Sequence, residues 1–334
     1  MKRAGIIPVL FVVACQGTVN QSALHPAGPQ AHRSARLWWL ALAVAAIVYL
    51  ATIAALGWAM ARARHRERLA ASLPADSEHR MTRGVAGALV ATVAILLLFL
   101  GYDLSVGRTM TPVPSAHPVT FRVTGHQWWW EVQYVDTAPA GRFTTANEIH
   151  VPVGEPVLFL LDAADVIHSM WVPNLAGKKD LIPGYTSSVW FQADSAGVYR
   201  GQCAEFCGLQ HAKMAMLIVA EPRPAFERWL ADQRAPAAAP ADSATARGQA
   251  VFLATPCAMC HNVEGTPAGS HVGPDLTHLA SRRTIAAGTL PNDRGTLAGW
   301  VRNAQAFKPG SAMPPVAVAP ADLDALLTYL QSLK

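Results

Sequence analysis

The chain has 334 residues, 51% of them apolar and only 15% charged, a low charged fraction for a protein that is water-soluble throughout. Its formal net charge is +5, but Arg62, Arg64, Arg66, Arg68, Arg80 and Arg83 crowd into one short stretch. No basic stripe with interleaved aromatics appears elsewhere, so the basic balance does not argue for nucleic acid, and none is expected as a partner.

Lys2 and Arg3 precede a short apolar run ending Val12-Val13-Ala14-Cys15. This is the layout of a secretory signal over residues 1–15, too short to span a bilayer. The small residue before Cys15 is similar to a bacterial lipobox, which implies a lipidated Cys15; an uncleaved signal with a buried thiol is the alternative. Trp38 to Met60 and Gly84 to Tyr102 are uncharged apolar stretches, each long enough for one transmembrane helix. They predict a hairpin over residues 36–105. The arginine-rich loop between them, residues 61–83, is expected on the cytoplasmic side and both flanks outside.

Beyond Tyr102 the pattern changes to short runs of β type: Val119 to Val123, Trp128 to Val135, Glu148 to Val151, Pro156 to Leu161, Ser187 to Ala193 and Met214 to Val219. Gly, Pro, Asn and Asp punctuate them, which predicts a β-sandwich or barrel over residues 117–222. Strand alternation places Trp128 and Trp130 on one face and Trp129 on the other. Phe226, Trp229 and Leu230 recur at helical spacing within Pro222 to Asp232. Residues 233–246 read as a semi-rigid Ala/Pro linker, and residues 247–334 as a small domain with helical ends.

The five cysteines are Cys15 and two close pairs, Cys203/Cys207 and Cys257/Cys260, a pattern of ligands and attachment points rather than of a disulfide framework. Cys203-Ala-Glu-Phe-Cys207-Gly-Leu-Gln-His211-Ala-Lys-Met214 gathers two thiols, an imidazole and a thioether. Soft sulfur with imidazole selects copper, zinc or iron–sulfur. A mononuclear blue-copper site uses one cysteine, so the second needs explaining: two thiolates can bridge two copper ions, each then wanting its own imidazole. His211 is one, and His168 in Asp165-Val-Ile-His168 is expected to supply the other from a strand end. A Cys203–Cys207 disulfide or a four-coordinate zinc would need neither Met214 nor His168.

Cys257-Ala-Met-Cys260-His261 is CxxCH, the attachment signal of c-type haem: two thioethers and a proximal imidazole. Gly273-Pro274-Asp275-Leu276 and Ser311-Ala312-Met313-Pro314 follow, with a closing helix. Together they resemble class I cytochrome c, which makes Met313 the distal ligand and the Pro274 carbonyl the acceptor for the other ring nitrogen of His261.

CxExCGxxHxxM with an upstream DVIHSxxVP resembles subunit II of the haem–copper cytochrome c oxidases, and the cytochrome c tail resembles the caa-type variant. The resemblance implies a multidomain fold: a two-helix transmembrane hairpin, a cupredoxin-like all-β domain and an all-α class I cytochrome c domain. It implies a dinuclear CuA centre with Cys203 and Cys207 bridging, His168 and His211 terminal, and Met214 and the Glu205 carbonyl as weak ligands. It further implies a Mg²⁺ shared with subunit I through Glu205, electron uptake at Trp128, and a proton-path entrance at Glu78. The implied partners are oxidase subunits I and III and an external cytochrome c or other donor. A CuA subunit of a nitric oxide reductase, or a membrane-anchored electron carrier without a catalytic partner, would show much the same ligands.

Residues 121–221 hold ten acidic against six basic residues, and residues 243–334 five against seven. Docking of the two domains by complementary charge is the expectation.

Overall fold

The computed structural model describes residues 20–68, 77–110, 113, 115–135 and 141–334. The signal segment and Cys15 lie outside these. Two helices, α1 (Pro29–Arg68) and α2 (Ser77–Met110), precede everything else. Each holds a stretch long and apolar enough to cross a membrane, with mean hydropathy 2.4 and 2.5 and no burial against protein.

Both helices outrun their apolar stretches. Arg62 and Arg64, expected in a loop, continue α1, while Glu78, Arg80 and Arg83 lie in the opening turns of α2. Ala61 to Arg68 contains only residues compatible with helix, with neither Gly nor Pro to stop it.

Residues preceding α1 are tied to the β domain. The Asn174 side chain accepts the Gln21 N–H (2.9 Å) and donates to the main-chain oxygens of Ser22 (3.1 Å) and His25 (2.9 Å). Gln30 Nε2 donates to the Trp190 oxygen at 3.0 Å. The start of the first helix is therefore fixed relative to the sandwich.

Among the described residues the β domain has ten strands: β1 (Val119–His126), β2 (Trp129–Val135), β3 (Phe143–Ala146), β4 (Glu148–Pro152), β5 (Val157–Ala163), β6 (His168–Trp171), β7 (Lys179–Leu181), β8 (Ser187–Phe191), β9 (Gly197–Cys203) and β10 (Ala215–Glu221). They form two sheets, ordered β3-β2-β1-β5-β8 and β4-β10-β9-β6-β7. Phe121, Val123, Trp130, Phe159 and Leu161 of the first sheet meet Ile149, Met170, Met216 and Ile218 of the second in one core. Burying each such side chain contributes about 1.5–3 kcal/mol. β3, β6, β7 and β9 were not among the expected runs. β6 and β7 are too short for alternation to show, and β9 mixes Gly, Arg and Gln with its apolar residues.

Two expectations need correcting. Trp128 is not in a strand: β2 begins at Trp129, and Gln127 and Trp128 form the turn between β1 and β2. The turn still buries Trp128, so the face it shares with Trp130 arises from the loop and not from strand alternation. His168 opens a strand instead of ending one.

After α3 (Arg223–Gln233), the Ala/Pro segment lies against the C-terminal domain. The main-chain N–H of Ala237 donates to Glu264 (2.9 Å), and His278 Nε2 donates to the Ala235 oxygen (3.0 Å). It ends earlier than expected, because Asp242 caps α4 (Ser243–Ala254) by accepting the Thr245 N–H at 2.7 Å. The rest of the domain comprises α5 (Cys257–Cys260), the hairpin β11 (Thr284–Ile285) and β12 (Leu290–Pro291), α6 (Arg294–Arg302) and α7 (Pro320–Ser332). Its own core is built on Phe252, Leu297, Leu326, Tyr329 and Leu330.

The tip of the β11–β12 hairpin seats the C-terminal domain on the β domain. Ala286 and Ala287 take φ of 54° and 56°, a left-handed conformation that alanine adopts at a cost. That bend turns the Ala287 oxygen to accept the Ala215 N–H (2.9 Å), while Arg200 Nη1 donates to Gly288 (2.9 Å). The Glu148 carboxylate accepts the Arg283 N–H at 3.0 Å. None of the ion pairs among the described residues joins the β domain to the C-terminal domain. The close contacts of the seam are hydrogen bonds to main-chain groups, while the complementary charge that composition suggested acts at longer range, Glu148 on Arg282 and His271 on Glu131.

Candidate metal centres

The first candidate centre lies where β9, β6 and β10 converge. Cys203 ends β9 opposite Met170 of β6, and its N–H donates to the Met214 oxygen at 2.8 Å. The loop from Ala204 returns through a short 3₁₀ turn at His211–Lys213. The two thiols then stand 3.7 Å apart. Cys203 Sγ is 3.9 Å from His168 Nδ1 and 3.2 Å from the Glu205 main-chain oxygen. Cys207 Sγ is 3.6 Å from His211 Nδ1 and 3.8 Å from Met214 Sδ. Each sulfur has one imidazole nitrogen and one weak donor of its own, a near-symmetrical arrangement.

Cys203, Cys207, His168 and Met214 are all buried, with His211 half-buried. The hydrogen bond between the thiols holds the Cys203 thiol well below the usual thiol range and pushes that of Cys207 up. The pair thus gives up a first proton readily and holds the second. Burial would lower the His168 pKa, but hydrogen bonds to Cys203 and Asp165 outweigh it and raise it. Gly125 makes room for that ring: a Cβ there would come within 2.8 Å of His168 Cδ2.

Two further residues, Asp165 and Gln127, organise this site. Asp165 Oδ1 accepts from His168 Nε2 at 2.8 Å, which fixes Nδ1 as the lone-pair nitrogen, and Asp165 Oδ2 accepts the Gln127 N–H at 2.6 Å. Gln127 Nε2 in turn donates to the Cys207 oxygen at 2.7 Å. Asp165 stood within the quoted His168 motif at i−3, and that spacing was the available signal. The Glu205 carboxylate points away to an ion pair with Lys178 at 3.1 Å.

The second candidate centre is a largely apolar cavity in the C-terminal domain. Cys257, Cys260, His261, Pro274 and Met313 line it, with Phe252, Leu279, Ile285, Leu297, Trp300 and Leu330. His261 Nδ1 donates to the Pro274 oxygen at 2.7 Å, leaving Nε2 as the free acceptor. Burial lowers the His261 pKa, which keeps the ring neutral. Gly273 permits this approach, since a Cβ there would lie 2.8 Å from His261 Cε1. Arg282 also lines the cavity, and its buried Nε lacks a hydrogen-bond partner. A group bearing an acid would satisfy it.

Four residues of the cavity wall come from the β domain: Gln127, Trp128, Trp129 and Asn147. Trp128 Nε1 donates to the Cys207 oxygen at 3.0 Å, so one side chain touches both candidate centres. Trp129 stacks on His126 with ring centroids 4.4 Å apart, and Trp130 is wholly buried. His150 is buried too, held between Glu148 and Glu221 and stacked on Trp229. Glu78 lies far along the chain from these groups, exposed in the first turn of α2.

The profile of the family "Cytochrome C oxidase subunit II, periplasmic domain" matches residues 137–221, and that of "Cytochrome c" matches residues 245–334. A cytochrome c oxidase subunit 2 of Alkalihalophilus pseudofirmus is 33% identical over 329 residues, 97% of this chain and 94% of that protein. The chain belongs to the cytochrome c oxidase subunit 2 family. A relative of the same name from Cereibacter sphaeroides is 28% identical over 255 residues, 65% of this chain and 80% of its own length. Among solved structures, the periplasmic domain of subunit II of the Bradyrhizobium japonicum cytochrome oxidase aligns at 33% identity, covering 37% of this chain and 97% of that one, with a TM-score of 0.35. As a subunit 2 with a cytochrome c domain, the chain is part of an oxidoreductase and works with other oxidase subunits and an electron donor. Its two domains are those of a copper protein and a haem protein, and both candidate centres offer the donors such groups take.

Proposed function

We propose that the chain relays electrons from an external donor through a covalent haem c to a dinuclear CuA centre, and on to subunit I of a proton-pumping oxidase that reduces O₂ to water. When bound, haem c and CuA each supply a one-electron carrier that needs little rearrangement between its two states. The observation that carries the reading is the position of Trp128, which walls the haem cavity while its indole N–H holds the Cys207 oxygen.

In this reading Cys203, Cys207, His168 and His211 would hold the copper, the imidazoles through Nδ1, with Met214 and the Glu205 oxygen as weaker donors. Cys257 and Cys260 would attach the haem, His261 and Met313 would supply its iron ligands, and Pro274 orients His261. Arg282 has a free N–H for an acid group of the haem. Trp128 receives the electron on its way to copper. The apolar wall of the haem cavity excludes water, which favours a carrier that gains and loses charge without a solvent shell to rebuild.

Glu205 serves a Mg²⁺ at the boundary with subunit I once its carboxylate leaves Lys178. Glu78 opens a proton path at the start of α2, and Cys15 carries a lipid. α1 and α2 cross the plasma membrane with the arginine-rich turn on the cytoplasmic side, next to subunits I and III.

Purifying the complex in detergent and recording its optical spectrum tests the reading, with O₂ and NO compared as oxidants. Bands of c-type haem, near-infrared copper absorption and consumption of O₂ are expected. Absence of either absorption overturns the relay, and turnover with NO alone assigns the chain to a nitric oxide reductase.

A further inference from the structure

The seam between the two domains contains a buried cation that the relay described above does not use. Lys308 is 3% exposed. Its Nζ donates to the main-chain oxygen of Trp128 at 2.8 Å and to that of Ala286 at 3.3 Å. The charged groups acting on it are Lys213 and Cys207, with no carboxylate among them. Burial, helped by Lys213, brings its pKa down to about 7. Putting an ammonium in such a place is costly, and an apolar side chain would fill it without that cost.

The residues on either side of Lys308 are held as well. Gln210 Nε2 donates to the Pro309 oxygen at 2.8 Å, and Lys213 Nζ donates to the Phe307 oxygen. A three-residue segment of the C-terminal domain is thus fastened at each position, shortly before Met313 in the chain. Trp128 is gripped at both of its polar groups: its indole N–H by the Cys207 oxygen and its own oxygen by Lys308.

We propose that Lys308 is a positioning residue for transfer between the two domains, its side chain pinning the cytochrome domain to the Trp128 main chain so that haem, indole and copper ligands keep one register. The inference rests on the proposed relay. Lys308 hydrogen-bonds no copper ligand; it lines the haem cavity beside Trp128 without being among the residues that would hold the haem.

The test is Lys308→Met in the whole purified complex, with copper and haem present. The haem is reduced rapidly and the loss of near-infrared copper absorption is followed. The expected result is transfer slowed about tenfold or more, with both absorption bands intact. Steady-state kcat falls while KM for the external donor is unchanged. Lys308→Arg, which keeps a cationic donor, is expected to restore most of the rate. If Lys308→Met does not assemble, Lys308→Gln replaces it, because its shorter side chain cannot reach the Trp128 oxygen; the same slowing is expected. An unchanged transfer rate in a variant with both bands intact overturns the proposal, as does a Lys308→Arg protein as slow as Lys308→Met. Failure of the relay itself shows separately, as absent haem-to-copper transfer in the unaltered protein.

Discussion

The indole N–H of Trp128 donates to the main-chain oxygen of Cys207 at 3.0 Å, and the same side chain walls the cavity that holds Cys257, Cys260 and His261. One residue therefore links two cysteine motifs that lie some fifty residues apart in the chain. Replacing it separates positioning from cofactor binding. Trp128→Ala should leave haem and copper spectra intact and slow haem-to-copper transfer about tenfold or more, the factor that roughly 1.4 kcal/mol of lost positioning gives. Rapid reduction of the haem with optical detection checks this; an unaltered rate places the route elsewhere.

Asp165 joins His168 to the turn that carries Trp128. Asp165→Asn replaces a carboxylate acceptor by an amide and loosens both contacts. Copper affinity should fall about 10–100-fold, as is usual when the acceptor behind a ligating histidine is lost. Competition against a chelator of known affinity measures it. Haem attachment, which Asp165 does not touch, should be unaffected.

Ala287 holds a left-handed φ of 56° at the hairpin tip while its oxygen accepts the Ala215 N–H. Ala287→Gly should relieve up to about 1 kcal/mol of backbone strain and raise the unfolding temperature. Ala287→Val should lower it, because a β-branched side chain is a poor fit to that conformation. Thermal unfolding followed by far-ultraviolet circular dichroism distinguishes the two.

The Thr245 N–H and hydroxyl keep the Asp242 carboxyl below its ordinary pKa, and Thr296 does the same for Asp293 at the start of α6. A carboxylate whose pKa is depressed by folding contributes stability above its unfolded pKa and loses it as pH falls through the folded value. Melting of the cytochrome domain should therefore begin to weaken below about pH 4. Asp242→Asn, which caps without ionising, should flatten that part of the profile.

Hydrogen bonds to main-chain groups hold the seam, and no ion pair among the described residues joins the β domain to the C-terminal domain. Screening acts on exposed charges and spares buried hydrogen bonds. Haem-to-copper transfer within the chain should vary little with ionic strength, while delivery from a separate soluble donor should vary more. Stopped-flow rates against salt separate the two steps; a collapse of the internal step at moderate salt would contradict the docked arrangement.

The two cysteine motifs were legible because ligand chemistry forces close spacing: Cys203, Cys207, His211 and Met214 sit in one loop, and CxxCH is contiguous. The apolar stretches of α1 and α2 were equally plain. What escaped depends on contacts distant in sequence. Lys308 reads as an ordinary charged residue beside Pro309 until folding brings the Trp128 oxygen to it across 180 positions. Trp128 reads as a strand residue because the apolar positions Trp128, Trp130, Val132 and Tyr134 run through the turn without a break. Ala286 and Ala287 gave no warning of a left-handed bend, which in most chains falls to Gly or Asn. The Ala/Pro segment reads as a semi-rigid linker without core-forming residues, yet Ala235 and Ala237 are held by His278 and Glu264 of the domain that follows.

The most direct test of the account reduces the haem of the purified complex in a single rapid step and follows both chromophores. The relay predicts that the haem band reoxidises while the near-infrared copper absorption bleaches at the same rate. A haem that stays reduced beside an unchanged copper band would contradict it.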